Sequence, residues 1–376
     1  MDFALNDDHL ALREAVQRFC DGEYPAHERG NAPAPETAAR RHAAMAEMGL
    51  LGLPFDPELG GSGQGPVETM LVAQELGRAL GGGAWFSSVV LAGQLLARAG
   101  SPEQCSQWLP RVASGELRLA LACSEPQARY HFDDVQTRAR RDGEGWVLDG
   151  RKSLVLDGDS ADLLLVVART AGERHGPEGL SLFALDAKAP GLRLHGFNTL
   201  DGRRAAHVEL RGVRVEPGRL VGTEGAAHVL LDETLDRANA ALCAEAAGAI
   251  EALVELTTEQ LRTRKQFGAP LAKFQVLQHR LADMVIALEQ AKSMACAAAM
   301  ALEADSVPQR RRLVSAAKVM TAQLGRQVSL AAIQMHGAMG MTEECRVGHY
   351  AKRLMAIGQI LGDAHHHLRR FGEQAH

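Results

Sequence analysis

The chain predicts an α+β fold: a helical N-terminal domain, a small middle β-barrel or sandwich, and a C-terminal antiparallel four-helix bundle. Three observations carry this. Apolar residues recur at helical spacing from the start to near residue 115. From about Leu119 the segments become short, alternating and bounded by turn residues. From about Gly225 helical periodicity returns in long stretches with few breaks. The domains fall at 1–118, 119–222 and 223–376.

Asn6 or Asp7 caps a first helix whose apolar face carries Leu10, Leu12, Val16 and Phe19. Pro35-Glu36 opens a second through Ala43, Met45 and Met48, and Gly49, Gly52 and Pro54 stop it. The glycine-rich stretch 54–65 has no strand before it and no Gly-Lys-Ser/Thr after it. It reads as a connector, not a phosphate cradle. Helices resume over 67–80, 87–99 and 101–113. Strands follow over 120–123, 135–141, 145–150, 163–168, 180–185, 192–194 and 206–213. Asp142-Gly143 and Asp157-Gly158 are hairpin-type turn pairs. The long helices end near Arg264 and then cover about 274–303, 308–336 and 342–371. The alanine-rich tracts 240–247 and 295–301 allow helices to approach closely.

Composition narrows the function classes. The hydrophobic fraction is 46% and the net charge −5, ordinary for a globular protein and unlike a nucleic-acid or membrane-surface binder. No apolar run approaches the roughly 18 residues of a membrane span. The acidic start Met1-Asp2-Phe3-Ala4-Leu5-Asn6-Asp7-Asp8 lacks the basic and apolar regions of a signal peptide. Six dispersed cysteines, with no Cys-x-x-Cys, predict reduced thiols in the cytoplasm and no metal site. His365-His366-His367 would point about 100° apart on a helix, too far to share an ion, so a solvated helix end is expected. Trp85, Trp108 and Trp146 read as packing residues, and Arg310-Arg311-Arg312 as an exposed charged face.

The chemistry-bearing stretch is Arg264-Lys265-Gln266-Phe267-Gly268, followed by Phe274-Gln275 and 278–284. It places a fixed cation, amides and an aromatic ring around a Gly-Ala-Pro break between helices. A planar guanidinium suits a phosphate-bearing ligand. Taken alone, the pentapeptide reads equally as a helix–turn–helix corner with a solvated arginine.

Further motifs stand in order along the chain. Leu51-Gly52-Leu53-Pro54 leads to Leu59-Gly60-Gly61-Ser62-Gly63. Next come Ala120-Leu121-Ala122-Cys123-Ser124-Glu125-Pro126 and Gly150-Arg151-Lys152, then the Arg264 motif, then Gln334-Met335-His336-Gly337-Ala338-Met339-Gly340-Met341. Together they resemble the acyl-CoA dehydrogenase family over nearly the whole chain. That resemblance implies FAD as cofactor, an acyl-CoA thioester as substrate and a trans-2-enoyl-CoA as product, with electrons leaving through an electron-transferring flavoprotein. It also implies that Arg264, Gln266, Phe267, Gln275, Gln334, Gly337 and Ala338 meet the FAD of a neighbouring subunit. Ala338 replaces the family's second glycine, a mild change where φ is negative and a worse one where it is positive. Ser124 matches the family's threonine.

The flavin-ring end departs from the family. Leu154 and Leu156 stand where a tryptophan and a threonine are usual, and leucine donates no hydrogen bond. Gln127-Ala128-Arg129-Tyr130-His131 replaces the usual Gly-x-Gly-Ser-Asp. The base position of the commonest branch is Leu361, before Gly362 and Asp363; that of another branch is Ala238, beside Arg237 and Asn239. Asp363 is either a non-standard base or a polar helix-end residue. Val347-Gly348-His349-Tyr350 with Lys352-Arg353-Leu354, and the stretch 361–368, resemble the subgroup called the pimeloyl-CoA dehydrogenase small subunit. This implies a homo- or hetero-oligomer with a second dehydrogenase-like chain that supplies the base. The alternatives are a self-sufficient homomer using Asp363 and a non-catalytic scaffold.

Overall fold

Asn6 accepts a hydrogen bond from His9 N and so starts helix α1, Asp7–Glu23. The computed structural model describes residues 5–25, 28 and 33–373; residues 1–4 of the acidic start lie outside that range. Helix α2, Pro35–Glu47, opens on its proline, and α3, Pro66–Arg78, does the same. Helices α4, Gln94–Ala99, and α5, Pro102–Ala113, complete the N-terminal set. The helix expected over 87–99 is π-wound across Phe86–Gly93 before it continues as α4. Apolar periodicity does not separate the two windings, because every residue of the π segment is buried.

The chain forms two compact units. One holds residues 34–64 and 83–238, the other 1–33, 65–82 and 239–376.

The first unit contains the sheet. Its strands are β1, Leu119–Ala122; β2, Arg138–Asp142; β3, Gly145–Leu156; β4, Leu163–Arg169; β5, Leu180–Asp186; β6, Leu192–Asn198; β7, Arg204–Val215; and β8, Leu220–Val221. Their order is β6-β7-β3-β2-β4-β5-β8, with β1 parallel to β4. Trp146, Leu148, Val166, Phe183, Val208 and Val213 form its core. Asp142-Gly143 closes the β2–β3 hairpin as expected. Asp157-Gly158 closes none: β3 pairs with β2 and β7, whereas β4 pairs with β1, β2 and β5, and β3 and β4 do not pair with each other. A turn dipeptide reverses the chain locally but does not choose the next partner strand.

Helix α6, Ala227–Thr263, passes from the first unit into the second. A small hairpin of β9, Lys265–Gln266, and β10, Ala269–Pro270, leads to α7, Gln275–Ala301, and α8, Val307–His336. The last expected helix is two: α9, Arg346–Ile357, and α10, Ala364–Glu373. The break falls where Leu361 (φ +57°) and Gly362 (φ +127°) leave helical backbone.

Helix α7 is long and apolar enough to cross a membrane by length and composition, because its alanines raise the mean; half of its most apolar window is buried in the protein. Two expectations are corrected here, for His367 and Arg310. His367 is buried rather than solvated, since successive helix positions rotate it toward α8 and Ser315. Arg310 is buried, while Arg312 is exposed and lies over the Phe371 ring. All three tryptophans are in the core.

Candidate flavin-binding site

The end of α6 sets up the first group of residues. Arg264 N bonds to Gln260 O, and Arg264 O accepts from Leu271 N, so the corner closes on itself. Phe267 (φ +54°) and Gly268 (φ +75°) are the two central residues of the β9–β10 hairpin, the pattern of a type I′ turn. Holding a phenylalanine in left-handed backbone costs about 1 kcal/mol. Its ring is 90% exposed and meets Phe274 edge-on, 6.0 Å between centroids. Among the described residues the Arg264 side chain has no hydrogen-bond or ion-pair partner, and it is exposed. Gln275 and Gln334 are exposed too; Gln266 Nε2 turns back to Lys265 O.

The short connection between α7 and α8 sends α8 back along its neighbour. Its last turn, with Gln334 and Gly337, therefore returns to the end of the bundle where α7 begins. Gly337 caps α8 at φ +66° and ψ −148°, a region open in practice only to glycine. Ala338 is not among the left-handed residues, so its methyl is tolerated. The structure thus gathers the helix ends that carry Arg264, Gln275 and Gln334.

The other compact unit carries the second group. Ser124, at the end of β1, is half-buried, and its carbonyl accepts from Ser153 N. Leu154 lies in left-handed backbone (φ +50°) at an irregularity between Lys152 and Val155, and is 46% exposed. Leu156 is half-buried opposite Ala205. Beneath this edge Lys152 Nζ donates to Glu125 Oε1 at 2.7 Å, and the Gln136 and Thr137 amides also donate to that carboxylate. Burial alone pushes the Glu125 carboxyl up, but the Lys152 ammonium and the hydrogen bonds outweigh it and hold the group below its ordinary value.

Two neighbouring segments, 133–135 and 174–178, share an organiser in Arg169. The Arg169 guanidinium donates to the carbonyls of Asp133, Val135, Arg174, Gly176 and Glu178. Sequence reading passed over Arg169 and the pairing of Glu125 with Lys152. A signal was present in both strands: each cation sits at an inward position of an alternating or fully apolar run.

At the α9–α10 break, Leu361 is half-buried and carries no ionisable group; Ala238 is buried. Asp363 Oδ1 accepts from His366 N at 2.8 Å, and Asp363 O accepts from His367 N. The carboxylate thus has the geometry of a cap on α10. No cluster of three metal-ligating side chains occurs among the described residues.

The exposed guanidinium, the exposed amides and the glycine turn of the first group fit a pyrophosphate-bearing cofactor by donor chemistry. Comparison with known proteins gives the same direction. The acyl-CoA dehydrogenase N-terminal, middle and C-terminal domain models match residues 6–116, 120–213 and 228–375. The chain is 30% identical to acyl-CoA dehydrogenase FadE12 of Mycobacterium tuberculosis, covering 91% of this chain and 89% of that protein. It is 29% identical to the probable acyl-CoA dehydrogenase YngJ of Bacillus subtilis, over 96% of each. A chain of the ChsE4–ChsE5 complex from M. tuberculosis superposes with a TM-score of 0.87 at 27% identity, covering 100% of this chain and 98% of that one.

Proposed function

Because the chain belongs to the acyl-CoA dehydrogenase family of FAD-dependent oxidoreductases, we propose that it is the subunit of a two-chain enzyme that lends its FAD-clamping residues to a partner. The observation that carries this is the contrast between its two groups. Arg264, Gln275 and Gln334 are exposed and Arg264 is unpartnered among the described residues, as donors to a ligand held elsewhere would be. Leu154, Leu156 and Leu361 offer its own flavin neither a hydrogen bond nor a base.

In this reading bound FAD would supply the hydride-accepting chemistry for the acyl-CoA thioester. Arg264 would hold the pyrophosphate, with Gln266, Gln275 and Gln334 as neutral donors beside it. Phe267 supplies a flat apolar face, and Gly337 lets backbone approach the anion. Ala338 lines the same turn. Ser124 remains as a hydroxyl at this chain's own flavin edge. Proton abstraction belongs to a carboxylate of the partner, and Asp363 serves as the cap of α10. An electron-transferring flavoprotein takes the electrons. The likeness to a chain of a solved two-chain complex and to the pimeloyl-CoA dehydrogenase small-subunit subgroup supports the pairing, and six free thiols suit a cytoplasmic setting.

The test is purification of the chain alone and with co-purifying proteins. We expect little flavin alone, and full flavin with substrate-driven bleaching once a second dehydrogenase-like chain is present. A full flavin spectrum that bleaches with an acyl-CoA in the isolated chain would rule the pairing out.

A further inference from the structure

We propose that Lys318 is the positioning residue for the turn between α9 and α10, fixing where Leu361 stands in the site. The placement of that turn in the site rests on the reading above; the hold of Lys318 on the turn does not. Lys318 is fully enclosed on α8, with no exposed surface. Its Nζ donates to Ile357 O at 2.7 Å and to Ile360 O at 2.6 Å. These are carbonyls at and just past the C-terminal end of α9, which the helix itself leaves without partners and where a positive charge is favoured.

The turn needs such a hold. Leu361 sits in left-handed backbone, which a branched side chain resists. Its carbonyl lies 3.3 Å from His367 Nε2, and Asp363 caps the helix that follows. At Gly362 a Cβ would collide with the His367 ring. Strained backbone persists only where its surroundings over-determine it, and here Lys318, His367 and Asp363 do so together. The stretch from Ile357 to Asp363 is thereby a rigid presentation of Leu361 rather than a loose end of helix.

The ionisable groups around Lys318 are Cys243 of α6, Arg353 of α9 with its partner Glu245 of α6, and His367 of α10. Burial holds His367 neutral, with the Lys318 charge adding to this. Burial also brings the Lys318 ammonium down to about 8, opposed by Cys243 and aided by Arg353.

Amide hydrogen exchange across residues 358–367 of the full chain tests the assignment. Lys318→Met keeps the stem and deletes both hydrogen bonds. We expect exchange at Gly362, His366 and His367 to quicken by about tenfold or more while α3 and α7 are unchanged. A pH series adds a readout that a packing role does not move. Opening the turn returns Lys318 to water and to its ordinary value, so opening takes up a proton above pH 8. Protection corrected for intrinsic rate should then rise with pH between about 8 and 10.5 in the natural chain and stay flat in the variant. Exchange within twofold of the natural chain in Lys318→Met would overturn the proposal. So would a flat pH series in the natural chain, a measurement that stands even if the variant fails to fold. Flavin retention, governed by Arg264, reports separately on the proposed function.

Discussion

Glu125 and Lys152 lie 2.7 Å apart with 2% and 0% of their side chains exposed, directly under the strand edge formed by Ser124 and Ser153. A charge so enclosed is tolerable only while its partner and hydrogen bonds remain. Lys152→Met is expected to cost about 3–5 kcal/mol, because it strands the Glu125 carboxylate. Adding Glu125→Gln should recover a large part of that. The carboxyl lies below its ordinary value, so its contribution is present above pH 4.5 and is lost as pH falls through the lower folded value. Urea midpoints of the single and double variants, at neutral and acid pH, decide this; a single-variant cost under about 1 kcal/mol would contradict it.

Arg264 contributes nothing to its own chain that substitution should reveal. Arg264→Ala is expected to change stability by no more than about 0.5 kcal/mol, the range of an unpartnered surface residue. FAD retention by the assembled enzyme should fall by at least about tenfold, and Arg264→Lys should recover only part, for want of the paired geometry. Equilibrium dialysis with FAD reads the second effect. Unaltered retention would remove Arg264 from the clamp.

Gly337 and Ala338 should respond in opposite ways. Gly337→Ala forces a Cβ onto a backbone at φ +66° and ψ −148° and should cost about 1–3 kcal/mol. Ala338→Gly, at an unstrained position, should change stability by about 0.5 kcal/mol or less. Thermal unfolding of the pair compares them directly, and equal costs would show that the turn is not set by its φ.

Glu75 of α3 gives the chain a measurable dependence on pH. Burial pushes its carboxyl up to about 7, with Arg78 opposing this and Glu251 adding to it. The folded state therefore holds the proton more tightly than the unfolded one. Stability falls as pH climbs from 4.5 to about 7 and is level above. Glu75→Gln should match the natural chain near pH 4 and exceed it at pH 8 by up to about 3 kcal/mol. Urea titrations across that range give the difference; equal stability at pH 8 would refute the assignment.

Local signals located most elements. The Asn6 cap, the prolines that open α2 and α3, and Asp142-Gly143 all act through neighbours a few residues away, so they can be read from the chain. Signals that depend on distant partners could not be read this way. Asp157-Gly158 has turn chemistry yet joins strands that do not pair, and the π winding of Phe86–Gly93 hides within an unbroken apolar run. Periodicity predicts one last helix over about 342–371, and Leu361 breaks it. Its left-handed backbone is imposed by groups on α8 and α10.

The family, the cofactor and the order of helices, sheet and helices can all be read along the chain. Those rest on ordered motifs and on periodicity, which are properties of neighbouring residues. Which charges are paired is set by packing. It left the Arg264 guanidinium without a partner among the described residues, buried Lys152 against Glu125, and placed Lys318 on the carbonyls that end α9. Residue type shows that a side chain carries charge. Whether that charge faces water, a partner or another chain's ligand depends on packing between residues far apart in sequence.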